Sequence, residues 1–241
     1  MNTYYIIAIV AVIAIAYFTF LSVYTKKKKE KQFNPFKEKH LNKELSEKQK
    51  QALSYGAILA FSRGEKIFNL IPNEIVEAYI QGLRNQWEIV DSESAKIRLS
   101  RLNSLATSSE LDAVLGQDSS EINKIQKKIA SVLKLDLDIV KEVKSTYAWD
   151  ISRVIPLAKW CYWSGYLSED EMWQNIYEAV SIAQEKGSDW TEYTISFLLG
   201  RTISGFDLDD LSIETEQVLN GKKVFLKYSD NIDLYKTYSF K

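Results

Sequence analysis

The chain opens with a long apolar segment and then changes abruptly to lysine-rich sequence. The segment Tyr4–Tyr24 spans 21 residues without a charge or a proline, and 11 of them are Ile, Val, Leu or Phe. As a helix rising ~1.5 Å per residue, it is long enough to cross a hydrocarbon core of roughly 30 Å with its backbone hydrogen bonds satisfied. The pattern therefore predicts a transmembrane anchor over residues 1–25.

The charges that flank the apolar segment predict its orientation. No Lys or Arg precedes it, whereas five lysines follow it at once, and positive residues stay on the cytoplasmic side. These are Lys26, Lys27, Lys28, Lys29 and Lys31. We expect a single-pass protein of the inner (cytoplasmic) membrane with its C-terminal domain in the cytoplasm. A cleaved secretory signal is the rival, since Ala14–Ala16 resembles a peptidase site, but such signals have a positive start and a shorter apolar core.

Residues 26–50 form a basic juxtamembrane linker, in which ten lysines stand against four glutamates for a net charge of +6. The five lysines nearest the apolar segment can bind anionic lipid head groups, at about 1 kcal/mol per charge near the surface. They can also serve only as the topology signal. Because the whole chain carries −1 and residues 1–25 have no charged side chain, residues 51–241 carry −7. An acidic body argues against nucleic acid, which requires a basic face.

Beyond residue 50, apolar positions recur at intervals of three and four residues, which is typical of helices. The predicted helices are 46–61, one opened by Pro72, one capped by Asp91 that runs to Arg101, 122–133, and 139–165 with Pro156 as a kink site. Three capping boxes, each a short polar residue followed three positions later by Glu, predict further helix starts. They begin at Thr107, Ser168 and Asp189.

The predicted fold class is all-α. It comprises the single transmembrane helix, a helical globular domain over residues 51–205 and a C-terminal extension over residues 206–241. In the extension the pattern changes to a short helix at 213–219, a turn at Asn220–Gly221 and a small β element at 224–228.

Five of the six tryptophans fall between Trp149 and Trp190. Four of these five lie in the stretches YAWDISR (147–153), AKW (158–160), SGYLSEDEMW (164–173) and DWTEY (189–193), which LGR (199–201) follows. With these stretches, with residues 52–64 and with WEIVD (87–91), the sequence resembles the bacterial domain of unknown function 1266 over roughly residues 45–205. The resemblance implies a mostly helical bacterial domain without an established reaction. The anchor, the basic linker and the tail after Gly205 depart from that pattern.

Two arginines of this region are candidate binding residues. Asp150 and Arg153 are three residues apart on one helix face and can pair. Arg201 lies four residues after Phe197 on an apolar face, where an unpaired guanidinium would cost several kcal/mol. Arg201 therefore needs a buried acceptor, for which Asp150 is the first candidate and Asp91 the second.

This group of charged residues admits two interpretations. In one, a buried ion-pair network fixes the register of the helices and the tryptophans fill the core. In the other, Arg153 and Arg201 line a pocket and hold an anionic ligand, or a partner's carboxylate, against Trp160 or Trp190. Asp150 belongs to both interpretations.

The residue inventory limits the chemistry that the chain can perform. The single histidine, His40, lies in the basic linker, so Ser-His-Asp catalysis, Cys-His catalysis and histidine-ligated zinc lack their residues. Cys161 falls inside a predicted helix, where a thiol is usually a small core residue. The carboxylates of 207–210 can gather magnesium or cap a helix. We expect no metal and no cofactor.

These observations predict a membrane-anchored, cytoplasm-facing helical domain that binds a protein partner and lacks evident catalytic machinery. The alternative is an enzyme or small-molecule sensor that uses a pocket formed by Asp150, Arg153 and Arg201.

Overall fold

The computed structural model describes residues 3–117, 119–211, 215, 219 and 234–241. Within these ranges helices are the only regular elements, which confirms the all-α prediction. The turn at Asn220–Gly221 and the β element at 224–228 lie outside the described residues. So does the helix at 213–219, apart from two single positions, Thr215 and Leu219, which are helical.

The helices have the following bounds: α1 Thr3–His40, α2 Glu47–Ser54, α3 Ala57–Ser62, α4 Val76–Trp87, α5 Ser92–Asn103, α6 Ala106–Leu115, α7 Ser120–Leu133, α8 Leu137–Glu142, α9 Tyr147–Trp163, α10 Glu169–Lys186, α11 Trp190–Ile203 and α12 Leu234–Thr237, with a 3₁₀ turn at Asp209–Leu211.

Several helix starts follow local capping chemistry. Asp91 caps α5 and Ser168 caps α10, and each forms a complete capping box, as the sequence predicts for Ser168. Asp189 caps α11 by accepting hydrogen bonds from two backbone N–H groups of the first turn. The box predicted at Thr107 is wrong, because α6 already begins at Ala106. These caps satisfy N–H groups that have no partner inside their helix.

Three predicted helices differ in the structure. The helix predicted over 46–61 divides into α2 and α3 at Gly56, where an added Cβ would lie 2.7 Å from Cβ of Ile155. The helix expected to open at Pro72 begins only at Val76. The helix predicted over 139–165 divides into α8 and α9, because an extended residue, Val143, ends α8.

Helix α9 is the central element of the domain. Every residue of α9 except Arg153 is buried, as expected of a helix that is packed on all sides. Helices α5, α10 and α11 pack against it most extensively, and α3, α4 and α6 complete its surroundings. At Gly200 of α11 an added Cβ would lie 2.4 Å from Cβ of Trp149. Helices α9 and α11 therefore touch with no room for a side chain between them.

The C-terminal segment 234–241 packs on the domain. The rings of Trp190 and Tyr235 stack with centroids 4.0 Å apart, and Nε1 of Trp190 donates to the carbonyl of Tyr238 at 2.7 Å. Phe240 is buried against Trp190 and Tyr55. This segment therefore forms part of the same aromatic core as α11.

Helix α1 continues without a break from the apolar segment into the basic one. In the part of the chain that the structure describes, α1 alone is long and apolar enough to cross a membrane. Between Val10 and Tyr24, most of its large apolar side chains are exposed: Ile15 is 66% exposed and Phe18 is 69% exposed. The helix then includes Pro35 and ends at His40, so the first part of the basic linker is helical.

The last turns of α1 dock on the domain. Phe36 packs edge-on against Tyr162 at 5.5 Å, and Nε2 of His40 lies 2.8 Å from the hydroxyl of the same tyrosine. Lys28 pairs with Glu77 at 2.7 Å, and the hydrogen bond from Lys28 is the main cause that lowers the pKa of Glu77 to about 2. Residues 28–40 are therefore bound to the domain and do not act as a free tether.

The docked His40 predicts a pH dependence. Burial lowers the pKa of His40 below its ordinary value of 6.5; the neighbouring Lys39 and Lys43 act in the same direction, and Glu169 opposes them. A lowered pKa means that the unfolded chain binds the proton more readily. Docking is therefore fully stable above pH 6.5 and weakens as the pH falls below it.

We expect the free energy of unfolding of the full chain in detergent to be smaller at about pH 5.5 than at about pH 7.5, on the two sides of the ordinary histidine pKa. His40→Gln keeps a hydrogen-bonding group for Tyr162 but cannot titrate, so it is expected to make this dependence shallower. Equal slopes for the wild type and the variant, measured by urea unfolding, would contradict the prediction.

Candidate functional site

A cleft of about 590 Å³ lies beside α9 and is lined by arginines and aromatic rings. This volume is within the range of roughly 300–1,000 Å³ that is usual for small-molecule sites. The arginines are Arg63, Arg98, Arg153 and Arg201, and the rings are those of Trp87, Trp149 and Phe206. Each arginine comes from a different part of the fold: the end of α3, and helices α5, α9 and α11.

Arg153 is fixed in the cleft by a buried carboxylate. Its Nη2 donates to Asp150, which is fully buried and also accepts from the N–H of Ser108 at 2.7 Å. Its guanidinium lies 4.3 Å from the ring centroid of Trp149. Burial lowers the pKa of Arg153 and Asp150 opposes this effect, and arginine stays charged at neutral pH. The pair expected from the spacing of three residues forms, and it holds one cation at the wall of the cleft.

Arg201 does not pair with Asp150, so that expectation is wrong. Its Nη1 donates to the backbone carbonyl of Asp207, and its Nη2 lies 3.6 Å from a carboxylate oxygen of Asp210. Gly205, with φ of +91°, turns the chain back after α11 and brings this segment within reach. The second candidate, Asp91, instead caps α5.

The other two arginines of the cleft, Arg98 and Arg63, were not predicted from the sequence. Nε of Arg98 donates to the carbonyl of Trp87 at 3.1 Å, and its Nη2 donates to Glu88 at 2.7 Å. Arg63 lies 4.2 Å from the ring centroid of Trp160 and has no ion-pair partner among the described residues. In the sequence, the Arg63-Gly64 pair indicates only the end of a helix, and no feature marks Arg98 as a residue of the cleft. Their positions in the cleft follow from tertiary packing.

The two tryptophans expected to stack on a ligand do not line the cleft. Trp160 is buried, its indole N–H donates to Glu65 at 3.1 Å, and it meets the cleft only through Arg63 on its ring. Trp190 is covered by the C-terminal segment. Trp87 and Trp149 supply the indole rings of the cleft instead.

A buried polar network holds the start of α9. A carboxylate oxygen of Asp112 accepts from the N–H of Thr146 at 2.6 Å and from its hydroxyl at 2.7 Å. The hydroxyl of Ser196 accepts from the N–H of Ala148 at 3.1 Å. These bonds satisfy backbone donors that have no partner inside α9. They also hold Asp150, one turn further along, in its buried position.

The surroundings of the remaining candidate residues indicate structural roles or simple exposure to solvent. Asp207 and Asp209 pair with Lys128 at 3.3 and 3.0 Å. Cys161 is buried, and desolvation raises the pKa of its thiol to about 12. Of the five lysines that follow the apolar segment, Lys28 pairs with Glu77 and Lys29 lies over the ring of Phe33. The other three, Lys26, Lys27 and Lys31, are exposed.

The fold and this cleft define an all-helical domain with an arginine-lined pocket and one N-terminal helix long enough to cross a membrane. The model of the family described as protein of unknown function (DUF1266) matches residues 82–230, and the chain belongs to this family. The match confirms the resemblance seen in the sequence, but it begins later and continues beyond Gly205. No curated protein and no solved structure matches the chain.

The buried position of Asp150 predicts a large difference between two aspartates that face cleft arginines. Asp150→Ala leaves Arg153 and the N–H of Ser108 without their acceptor, so we expect a loss of about 3–5 kcal/mol in the free energy of unfolding. Asp210→Ala is the matched control, because the side chain of Asp210 is 66% exposed. We expect it to cost at most about 1 kcal/mol. Similar losses in chemical denaturation would show that Asp150 is not a structural acceptor.

Proposed function

We propose that this protein is a membrane-anchored receptor whose cytoplasmic domain binds an anionic ligand in the arginine-lined cleft. The observation that supports this proposal is the convergence of four guanidinium groups on one cleft. Clusters of arginine bind carboxylates and phosphates through paired, charge-assisted hydrogen bonds.

Three of these cations are available to a ligand. Arg63 has no ion-pair partner in the described part of the chain, and the carboxylate that pairs with Arg98, Glu88, is 84% exposed. Arg201 donates to the backbone carbonyl of Asp207 and pairs at 3.6 Å with the exposed carboxylate of Asp210. Exposed ion pairs contribute about 0–1 kcal/mol. A ligand anion can therefore replace these carboxylates at small cost.

The lining favours binding over catalysis. The described residues that line the cleft include no carboxylate, histidine, cysteine or lysine, and these side chains supply most general acids, bases and nucleophiles. Asp150 lies behind Arg153 and is occupied by two hydrogen bonds. The enzyme alternative thus has less support than a binding function.

The same proposal places the protein in the inner membrane with the domain in the cytoplasm. Lys28 lies four residues after Tyr24, about 6 Å further along a helix, and it pairs with Glu77 at the start of α4. This contact supports a domain held close to the lipid surface. The exposed Lys26, Lys27 and Lys31 are then available to anionic head groups.

The protein partner expected from the sequence stays a prediction. A pull-down from solubilised membranes tests it, with residues 1–50 as the control bait. Recovery of the same proteins by both baits would count against a partner of the domain.

The cleft is tested with inorganic pyrophosphate as the probe. We expect the full chain in detergent to bind pyrophosphate in calorimetry, and Arg63→Gln to weaken binding by roughly 10- to 100-fold, since a hydrogen bond to a charged group contributes about 1.5–3 kcal/mol. Arg101→Gln is the control, because Arg101 is exposed on α5 and does not line the cleft. Equal effects of both substitutions, or no binding of pyrophosphate by the wild type, would contradict the proposal.

The orientation is tested by removing the charge that follows the apolar segment. Substituting all five lysines, Lys26–Lys29 and Lys31, by Gln is expected to reduce the fraction of chains whose C-terminus lies in the cytoplasm, because positive charge near the helix end decides topology. The control carries five exposed lysines of the domain changed to Gln: Lys66, Lys124, Lys127, Lys144 and Lys186. Protease protection of a C-terminal tag in spheroplasts measures the result. A wild-type tag that is cleaved from outside would exclude the proposed orientation.

A further inference from the structure

We propose that the ligand of the cleft is a nucleotide: an aromatic base joined to a phosphate group that carries two or more negative charges. This inference rests on the proposed function and specifies the class of ligand. It follows from three features of the cleft: the balance of charge, the aromatic lining and the volume.

The charge of the cleft favours a ligand with more than one negative charge. The fully buried Asp150 neutralises Arg153, and Glu65 acts on Arg63, whereas Arg98 and Arg201 pair only with exposed carboxylates that a ligand anion can replace. A single carboxylate could pair with only one of the cleft guanidinium groups at a time. A phosphate or diphosphate presents several oxygens and suits the forked geometry of arginine.

The aromatic lining favours a ligand that carries a ring as well as an anion. Phe206, which is 50% exposed, and Trp87, which is half-buried, both line the cleft. A purely inorganic anion would leave these rings in water. Bases stack on aromatic side chains with about 1–3 kcal/mol per base, whichever base is present.

The volume and the net charge favour a free nucleotide over a nucleic acid strand. A cleft of about 590 Å³ has the size of a small-molecule site. Residues 51–241 carry a net charge of −7, and this charge repels a long polyanion. The four arginines of the cleft form a local concentration of positive charge that a single nucleotide can reach.

Calorimetry of the full chain in detergent compares five probes: adenosine 5′-diphosphate, guanosine 5′-diphosphate, adenosine, inorganic pyrophosphate and succinate. We expect the two nucleotides to bind roughly 10- to 100-fold more tightly than pyrophosphate, which corresponds to the stacking of one base. Adenosine and succinate are expected to bind more weakly than pyrophosphate, because one lacks the charge and the other lacks the phosphate oxygens.

Two substitutions separate the base from the phosphate. Phe206→Leu is expected to lower the ratio of nucleotide affinity to pyrophosphate affinity by about tenfold, because it removes an exposed ring from the lining. Arg63→Gln is expected to weaken both ligands and to preserve that ratio. Phe61→Leu is the control, since Phe61 is a partly buried phenylalanine on α3 that does not line the cleft.

The outcomes distinguish the two proposals. If pyrophosphate binds as tightly as the nucleotides and Phe206→Leu preserves the ratio, the nucleotide assignment is wrong and the anion receptor stands. If adenosine binds as tightly as the diphosphates, the assignment is also wrong. If none of the anions binds, both proposals fail.

Discussion

Helix α9 is buried along its whole length except at Arg153, and its burial determines how the neighbouring helices are arranged. A helix packed on every side cannot satisfy its first backbone N–H groups with water, so neighbouring helices must supply the acceptors. Asp112 from α6 and Ser196 from α11 do so. The close contact at Gly200 then sets the distance between α9 and α11. The hydrogen bonds that the start of α9 needs, together with the close contact at Gly200, thus set the positions of α6 and α11.

The cleft is a consequence of the one exception to this burial. Arg153 is the only residue of α9 that is not buried, and the fully buried Asp150 holds it in place. The other three guanidinium groups come from three further elements of the fold. The concentration of positive charge in an acidic domain therefore exists only after the chain has folded. This arrangement explains why neither composition nor net charge reveals it.

Local patterns predicted the parts of the structure that local interactions determine. The spacing of Asp150 and Arg153 placed both side chains on one face, and the capping box at Ser168 marked the start of α10. The acceptor of Arg201 could not be read in the same way, because the carbonyl of Asp207 reaches it only after the turn at Gly205. Any residue can offer a backbone carbonyl, so this contact has no signature in the sequence.

The docking of α1 and the residues that line the cleft could not be predicted from the sequence either, for two different physical reasons. Ten lysines made residues 26–50 resemble a linker, although Phe33, Phe36 and His40 recur at helical spacing and give the one signal of a packed face. Trp160 and Trp190 were expected to stack on a ligand held by Arg153 and Arg201. Both instead fill the core, which a single sequence cannot distinguish from a ligand site.

The pairing of Asp150 with Arg153 joins the buried helix α9 to the cleft, and a double-mutant cycle measures how strongly the two side chains interact. The free energy of unfolding is measured for Asp150→Ala, Arg153→Met and the double variant. If the two side chains stabilise each other in the buried wall of the cleft, the double variant loses less than the sum of the single losses, by about 1–3 kcal/mol. Additive losses, within about 0.5 kcal/mol, would show that Asp150 does not hold Arg153 in the wall of the cleft.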